Sequence, residues 1–393
     1  MDLNDADIPD PLTLLEDNPL VVTLTAPRRV EVLPQQRDPL PAGHVRLRTL
    51  YSGISAGTEL TLYRGTNPHV ERQWDVSQRL FVDEAAANAY PNTAWGYSEV
   101  GEVSELGAGV DPELLGTTVW GLWGHRGDVV LPMEKVTGRL LPAGVDPLSG
   151  TFARVGAVAL NAVLAADMHI GETVAVFGQG VLGLIATQLA VRSGAEVVAV
   201  DGIAARREQA RTSGAGLCLD PAADDVGARI KEITNGRGAD VCIEISGSYR
   251  ALHEAMRSCA AGGRVVAAGF YQGDGLGLRL GEEFHHNRVQ LVSSQISSAP
   301  QGIAQRWSPE RMHRTVIDLI AARELDVLPL VSHVVPVLRA PDAYSLLDAD
   351  PAAALQLVLD FRAGGVRSVG TRHLDAVCSI ADPPSIDTLR SVS

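Results

Sequence analysis

The sequence predicts an α/β protein in which a doubly wound parallel sheet adjoins a second, β-rich domain. The first observation behind this prediction is the spacing Gly178-x-Gly180-x-x-Gly183, which directly follows the β-rich run 174–177. The second is a regular alternation of strand and helix patterns over residues 159–295. The third is a series of short alternating stretches, broken by Gly and Pro, over residues 19–158.

Composition and charge limit the classes of function. A chain of 393 residues is long for a single core and fits two domains. No apolar run approaches the roughly 18 residues that a membrane span needs. The net charge of −14 disfavours binding to nucleic acid or anionic lipid. Residues 1–18 are acidic and lack the basic and apolar regions of a secretory signal, so we expect a cytoplasmic protein with a small-molecule substrate.

The glycine spacing predicts a dinucleotide-binding turn between a strand and a helix. Gly178 permits the tight turn, Gly180 lets a pyrophosphate approach bare backbone, and Gly183 lets the helix pack closely on the strand. Val181 and Leu182 open the helix, whose amino terminus stabilises phosphate charge, and are cofactor-binding candidates with the glycines. A purely structural glycine turn is the alternative.

Asp201 ends the next strand, close to the spacing at which such sites place a ribose-binding acid. Its carboxylate can accept hydrogen bonds from both ribose hydroxyls and repels a 2′-phosphate, so the sequence favours NAD over NADP. Arg206 and Arg207 leave NADP open, because a guanidinium there could hold that phosphate. Alternatively, these arginines form a solvated face of the following helix.

The alternation of strand and helix continues to the end of the predicted sheet. The predicted strands after the glycine turn span residues 197–200, 217–219, 240–245, 264–268 and 289–293. Strands separated regularly by helices imply right-handed crossovers and parallel pairing. The sequence therefore predicts one Rossmann domain over residues 159–295.

Four stretches resemble the medium-chain dehydrogenase/reductase superfamily. They are the glycine turn with its flanks, SGISAGTELTLYRG at 52–65, GYSEVGEVSELGAGV at 96–110 and GRGADVCIEISGS at 236–248. The resemblance runs from about residue 20 to about residue 362 and implies a GroES-like catalytic domain over 19–158, the Rossmann domain over 159–295, and a return to the catalytic domain over 296–362. Residues 1–18 and 363–393 depart from the superfamily pattern and are expected to be tails or extensions.

The positions that hold catalytic zinc in this superfamily carry other residues here. Ser55 stands where a thiolate is expected, Tyr97 and Ser98 replace the His-Glu of Gly-His-Glu, and the third position offers Ala153 and Arg154. Catalytic zinc needs three protein ligands of imidazole, thiolate or carboxylate type. The resemblance therefore points to a zinc-independent branch without a metal site, close to bacteriochlorophyllide a dehydrogenase-like and threonine-dehydrogenase-like proteins.

Without zinc, hydrogen-bond donors must stabilise the charge that builds on the substrate oxygen during hydride transfer. Tyr97 is the first candidate, because the ligand it replaces faces the nicotinamide in the superfamily; a Tyr that merely fills the emptied cavity is the alternative. Ser55 is the second, with Thr58 at the position of the proton-relay hydroxyl. Glu59 completes the set, with a structural role favoured over that of general base, and His125 is expected to face solvent.

Further cofactor contacts are implied by the resemblance. Gly247 lies in the turn after the fourth strand, and Phe270 and Tyr271 lie in the loop after the fifth. Ser294 and Gln295 follow the last strand and match the segment whose backbone contacts the nicotinamide carboxamide.

The sequence therefore predicts an NAD-dependent oxidoreductase acting on a hydroxyl or ketone of a polar or cyclic small molecule, with a redox-neutral cycle in secondary metabolism as a variation. An NADPH-dependent quinone or enoyl reductase is the first alternative, and a nucleotide-binding protein without catalysis is the second. The predicted edge strand 289–293 can pair across a twofold axis, so a homodimer is expected.

Overall fold

The computed structural model describes residues 19–83 and 90–362, so the predicted tails at 1–18 and 363–393 lie outside the described residues. The predicted fold class is confirmed, because a six-stranded parallel sheet and a separate β-rich sheet are both present. No helix in the described ranges has the length and apolar character needed to cross a membrane.

The amino-terminal part is built mainly of short strands. They are β1 (Leu20–Ala26), β2 (Arg29–Pro34), β3 (His44–Gly53), β4 (Gln73–Asp75), β5 (Leu80–Val82), β6 (Glu99–Leu106), β7 (Thr118–Gly121) and β8 (Asp128–Pro132). The helices among them are α1 (Thr58–Arg64), α2 (Pro68–Glu71), α3 (Met133–Thr137) and α4 (Pro147–Gly150).

The central part alternates helix and strand, as the sequence predicts. Its elements are α5 (Phe152–Ala166), β9 (Thr173–Phe177), α6 (Val181–Arg192), β10 (Glu196–Val200), α7 (Ala204–Thr212), β11 (Leu217–Leu219), α8 (Val226–Ile233), β12 (Ala239–Glu244), α9 (Tyr249–Ser258), β13 (Cys259–Ala267) and β14 (Gln290–Ser293). The strand order β11-β10-β9-β12-β13-β14, with parallel pairing throughout, is that of a Rossmann fold.

One strand of this sheet begins earlier than the sequence predicts. The prediction starts it at residue 264, but β13 starts at Cys259, which pairs with Ala239 before the register shifts. The shift takes up Gly262 and Gly263, and these glycines break the strand pattern in the sequence.

The carboxy-terminal segment joins the β-rich sheet. It comprises α10 (Pro309–Ala321), β15 (Val331–Pro336), α11 (Ala340–Ala349) and β16 (Gln356–Asp360). β16 pairs antiparallel with β3, in a sheet of order β15-β16-β3-β6-β7 to which β8 is added beside β3. Helix α5 runs without interruption through residue 158, where the sequence predicts a domain boundary.

Candidate active site

The glycine turn lies between β9 and α6, at the carboxyl edge of the parallel sheet. Gly178 has a φ of +92°, which a side chain would strain, and a Cβ on Gly183 would overlap the carbonyl oxygen of Gly178. Around Gly180 the space is open, with only Nη1 of Arg206 at 3.9 Å from an added Cβ. The turn therefore has the shape that a pyrophosphate requires, with Val181 and Leu182 beginning the helix behind it.

Asp201 lies beside this turn, where β10 ends. Its two carboxylate oxygens accept hydrogen bonds from the backbone N–H groups of Gln179 at 2.6 Å and Ile203 at 2.7 Å. Each oxygen has a further lone pair, so the carboxylate can still accept from a ribose. Asp201 also lines a cavity of about 360 Å³ that opens beside Gly178 and Pro221, which suits the adenosine half of a dinucleotide.

The two arginines after Asp201 have different partners. Arg207 forms a salt bridge with Asp220 at 3.0 Å and donates to the carbonyl of Asp201 at 2.8 Å. Arg206 Nη2 donates to the carbonyl of Pro351 at 2.7 Å, and its Nη1 faces the glycine turn. Only Arg206 is therefore placed to reach a cofactor phosphate.

Three other predicted cofactor residues, Gly247, Phe270 and Tyr271, lie near a buried carboxylate, Glu244. The sequence analysis did not identify Glu244. Glu244 ends β12 and accepts hydrogen bonds from the Tyr271 hydroxyl and the Gly247 N–H. Burial and the neighbouring carboxylate raise the pKa of Tyr271, so its hydroxyl remains protonated. The backbone of Phe270 lies against Gly247, where a Cβ would come within 2.8 Å of the Phe270 oxygen.

Ser294 and Gln295 follow β14, as predicted. The Ser294 hydroxyl accepts a hydrogen bond from the Asn161 amide of α5 at 3.0 Å. The Gln295 side chain instead accepts from the N–H of Ser297 at 2.6 Å. Asn161 thus connects helix α5, which runs through the predicted domain boundary, to the segment at which the nicotinamide is expected.

The structure brings Tyr97 and Ser55 together. The Tyr97 hydroxyl donates a hydrogen bond to Ser55 Oγ, across a sequence separation of 42 residues. Burial and then the charge of Glu59 raise the pKa of Tyr97, although hydrogen bonds with Ser55 and Thr58 act in the opposite direction. The phenol is therefore protonated at neutral pH, and its single O–H is a hydrogen-bond donor that Ser55 accepts in the protein alone.

His125 is not solvent-facing, and that prediction is wrong. Its side chain is fully buried beneath Gly96, where a Cβ would come within 2.7 Å of the imidazole. Nε2 contacts Glu59 Oε2 at 2.9 Å, and Nδ1 contacts Ser52 Oγ at 2.6 Å. The carboxylate and the hydroxyl give each ring nitrogen of His125 a hydrogen-bond partner, so the imidazole can be buried without losing hydrogen bonds.

This buried network extends to two further residues. Ser52 donates to Glu99 Oε1 at 3.1 Å, so it accepts from the Nδ1–H of His125. Tyr344 of α11 donates to Glu59 Oε2 at 2.7 Å. Glu59 thus accepts its hydrogen bonds within this buried network, and its Oε1 has no hydrogen-bond partner among the described residues.

The geometry of the network is that of a doubly protonated histidine. Burial lowers the pKa of His125, but Glu59 and Glu99 outweigh burial, and the net pKa is raised. Burial raises the pKa of Glu99 despite the nearby imidazole. The network therefore places the imidazole of His125 and the acidic side chains of Glu59 and Glu99 directly behind the backbone of Gly96, next to Tyr97.

The third zinc position of the superfamily lies at the start of α5. Ala153 is buried and has no donor atom, whereas Arg154 directs Nη1 to His313 Nε2 at 3.5 Å. The three positions thus supply the hydroxyls of Ser55 and Tyr97, which are hydrogen-bonded to each other, and the guanidinium of Arg154. This set contains no imidazole, thiolate or carboxylate, so it does not fit zinc.

One group of potential metal ligands lies elsewhere, among the residues that the structure describes. His253 of α9, Glu282 and Glu283 place ligand atoms within 4.8 Å of one another. Arg257 and Arg279 each approach one of these carboxylates at 3.7 Å and compete with a cation for it. This group belongs to the Rossmann part of the chain and does not include Tyr97 or Ser55.

Comparison with known proteins adds family evidence to this geometry. Residues 181–314 match the family model described as zinc-binding dehydrogenase. D-Guloside 3-dehydrogenase of Shigella flexneri is 31% identical over 345 residues, which cover 86% of this chain and 98% of that protein.

Solved structures show the same fold at lower identity. A dehydrogenase of Sinorhizobium meliloti bound to NADP has a TM-score of 0.70 and 22% identity, over 88% of this chain and 99% of that one. An alcohol dehydrogenase of Escherichia coli CFT073 in complex with NADH has a TM-score of 0.69 and 19% identity, over 87% and 99%.

Proposed function

Because the chain belongs to the zinc-binding dehydrogenase family of the medium-chain superfamily, we propose that it transfers hydride between NAD and a hydroxyl-bearing carbon of a sugar without using catalytic zinc. The observation that carries the proposal is the hydrogen bond between Tyr97 and Ser55. Both residues occupy positions at which the superfamily holds its metal, and together they supply a hydroxyl donor in its place.

Cofactor binding is assigned to the glycine turn and Asp201. NAD, when bound, accepts or returns the hydride, and this chain's residues hold and orient it. Gly178, Gly180 and Gly183 leave the backbone accessible to the pyrophosphate, while Asp201 accepts from the ribose hydroxyls. We propose NAD rather than NADP because the carboxylate of Asp201 lies beside the glycine turn and would repel a 2′-phosphate.

Tyr97 is proposed to act on the substrate oxygen. Its protonated phenol donates a hydrogen bond to that oxygen as negative charge develops there, and one well-placed donor of this kind contributes about 3–4 kcal/mol to the transition state. The phenol has a single O–H, which it donates to Ser55 Oγ in the protein alone. When substrate binds, this O–H turns to the substrate oxygen, and the Ser55 hydroxyl then donates to the phenol oxygen and keeps it oriented. The buried pair of His125 and Glu59 fixes the backbone at Gly96, and this backbone positions the phenol of Tyr97.

The sugar class of the substrate is inferred from the relatives. A relative that this chain matches over 98% of its length is named as a dehydrogenase of the 3-position of a D-guloside. A ring hydroxyl is a secondary alcohol, and its oxidation sends the hydride to NAD and the hydroxyl proton to solvent by way of the Tyr97 and Ser55 hydroxyls. The charge that develops on the oxygen is then stabilised by a hydrogen-bond donor and requires no metal.

The experiment is a substrate panel in which the formation or consumption of NADH or NADPH is measured by absorbance. Methyl glycosides with free ring hydroxyls are supplied with NAD or NADP, next to a simple secondary alcohol; a quinone and an enoyl ester are supplied with NADH or NADPH. We expect turnover of glycosides, with at least a tenfold preference for NAD. Activity confined to quinones or enoyl esters with NADPH would replace this proposal by the reductase alternative.

A further inference from the structure

Two arginines lie close together near Tyr97 and form the feature from which we draw a further inference. Arg154 lies on the first turn of α5, and Arg139 follows α3. The Arg139 guanidinium stacks over the ring of Trp120 at 5.3 Å, and the same ring lies 5.2 Å from the imidazole of His313. Arg154 Nη1 in turn lies 3.5 Å from that imidazole. We call these four side chains the arginine cluster.

Neither guanidinium of the arginine cluster has a carboxylate within 4 Å among residues 19–83 and 90–362. Glu310 is the acidic group that influences both, but its exposed side chain stays beyond salt-bridge distance. Half-buried cations are costly unless an anion or a hydrogen-bond acceptor compensates them. The cluster is therefore electrostatically unsatisfied in the protein alone.

His313 does not neutralise the arginines. Burial and the charges of Arg154 and Arg139 lower its pKa to about 4, so the imidazole is neutral at physiological pH. Its Nδ1 is buried and has no hydrogen-bond partner among the described residues. An acceptor group that entered the cluster would therefore meet two cations and a neutral imidazole, with no opposing carboxylate in contact.

The arginine cluster and the proposed catalytic group share a hydrophobic core, because Tyr97 packs against the buried side chains that include Trp120 and Ala153. The electrostatic influence of Tyr97 and Arg154 on each other affects the pKa of both side chains. Arg154 also follows Ala153, at the third of the positions that hold zinc in the superfamily. A substrate whose hydroxyl carbon lies at Tyr97 would thus bring its other substituents towards the two guanidinium groups.

We propose that Arg154 and Arg139 bind an anionic substituent of the substrate, so that the natural substrate is an acidic sugar carrying a carboxylate or a phosphate. This inference rests on the proposed sugar oxidation and adds the charge of the substrate to it. Guanidinium groups suit this task because their planar donors match the oxygens of both anions.

The test compares matched sugars. Methyl glucopyranoside, methyl glucuronopyranoside and methyl glucopyranoside 6-phosphate differ at carbon 6 only, and the same series in the galacto and gulo configurations covers ring stereochemistry. For each, kcat/KM is measured with NAD. We expect at least a tenfold preference for one acidic member over its neutral partner, and the preferred member distinguishes carboxylate from phosphate.

Variants connect that preference with the arginine cluster. Arg154→Gln and Arg139→Gln should each reduce the ratio of acidic to neutral kcat/KM by at least fivefold, mainly through KM of the acidic sugar, whereas Arg154→Lys should retain part of it. The ratio cancels any general effect of a variant on hydride transfer. Arg311→Gln is the control, because Arg311 also stacks on a tryptophan, Trp307 at 4.3 Å, but its side chain is exposed.

Binding is measured independently by calorimetric titration of the preferred acidic sugar into the wild-type protein and Arg154→Gln. Equal kcat/KM for acidic and neutral sugars in the wild type would overturn the inference while leaving sugar oxidation intact. Equal affinity of the two proteins for the acidic sugar would also overturn it. Absence of hydride transfer with every sugar would instead contradict the proposed function.

Discussion

At the scale of single residues, the account depends on the hydroxyl of Tyr97. Replacement by Phe removes this donor while the ring continues to fill its half-buried site. We expect Tyr97→Phe to lower kcat by about 10²–10³, the usual cost of losing one donor to a developing oxyanion, with little change in KM. Steady-state kinetics with the best glycoside measures this.

Tyr90→Phe is the matched control for that experiment. The Tyr90 hydroxyl donates to the carbonyl of Leu62 at 2.7 Å, and its ring is also only partly buried. Its loss should leave kcat unchanged within about twofold. If Tyr97→Phe matched this control, Tyr97 would be a packing residue and the oxygen would need another donor.

The buried histidine provides a second prediction, on stability. His125→Gln removes one partner of a pair with Glu59 and leaves a carboxylate buried, which typically costs about 3–5 kcal/mol of unfolding free energy. Urea unfolding measures it. His169→Gln is the control, because His169 is exposed where it meets Glu172 and should cost less than about 1 kcal/mol.

His125→Gln also tests how the contribution of His125 to stability depends on pH. Because the pKa of His125 is raised in the folded state, the native protein binds this proton more tightly than the unfolded chain. Its contribution is therefore complete below the unfolded value of about 6.5 and declines as pH rises through the folded pKa. The stability difference between wild type and His125→Gln should shrink with rising pH; a difference that grows would show that His125 is neutral.

The residues that the sequence could identify were those with a fixed spacing from a motif. Ser55, Tyr97 and Asp201 follow glycine patterns, and their positions in the fold agree with those patterns. His125 and Tyr344 could not be found in this way, because they meet Glu59 across separations of 66 and 285 residues. The pairing of β3, β6 and β7 brings His125 to Ser52 and Glu99, and the packing of α11 on α1 brings Tyr344 to Glu59.

At the scale of elements, the close contact between β9 and α6 depends on Gly183. A Cβ there would overlap the carbonyl oxygen of Gly178, so Gly183→Ala must push the helix away from the turn. We expect a loss of about 1–3 kcal/mol in stability and a NADH affinity at least tenfold weaker. Urea unfolding and NADH fluorescence titration measure the two effects.

Gly138→Ala serves as the control for this prediction. Gly138 ends α3 with a φ of −82°, and no atom lies within 4 Å of its added Cβ. This variant should keep both stability and NADH binding. Wild-type NADH affinity in Gly183→Ala would show that the turn does not hold the pyrophosphate.

The alternation of elements made the parallel sheet predictable, whereas the order of its strands is given by the structure. The early start of β13 was not predictable, because Gly262 and Gly263 interrupt its apolar pattern. The parallel pairing of β15 with β16 also has no local signal. Both depend on contacts between distant segments, which periodicity does not record.

At the scale of the whole molecule, the homodimer remains a prediction. β14 is the last strand in the sheet order, and its Leu291 is 41% exposed. Edge strands of this kind are suited to pairing with a second copy. We expect light scattering to give twice the chain mass of 41.6 kDa, and Leu291→Glu to shift the protein towards monomer. A monomeric wild type at micromolar concentration would contradict this prediction.

The most direct test of the central claim, hydride transfer without zinc, is the NAD-dependent turnover of a glycoside by metal-stripped protein. Metal content is determined by mass spectrometry on the same sample, with His253→Gln in parallel to account for any cation held by His253, Glu282 and Glu283. The account predicts unchanged kcat at less than about 0.05 equivalents of metal per chain. Loss of activity on stripping, restored by one equivalent of zinc in both proteins, would contradict it.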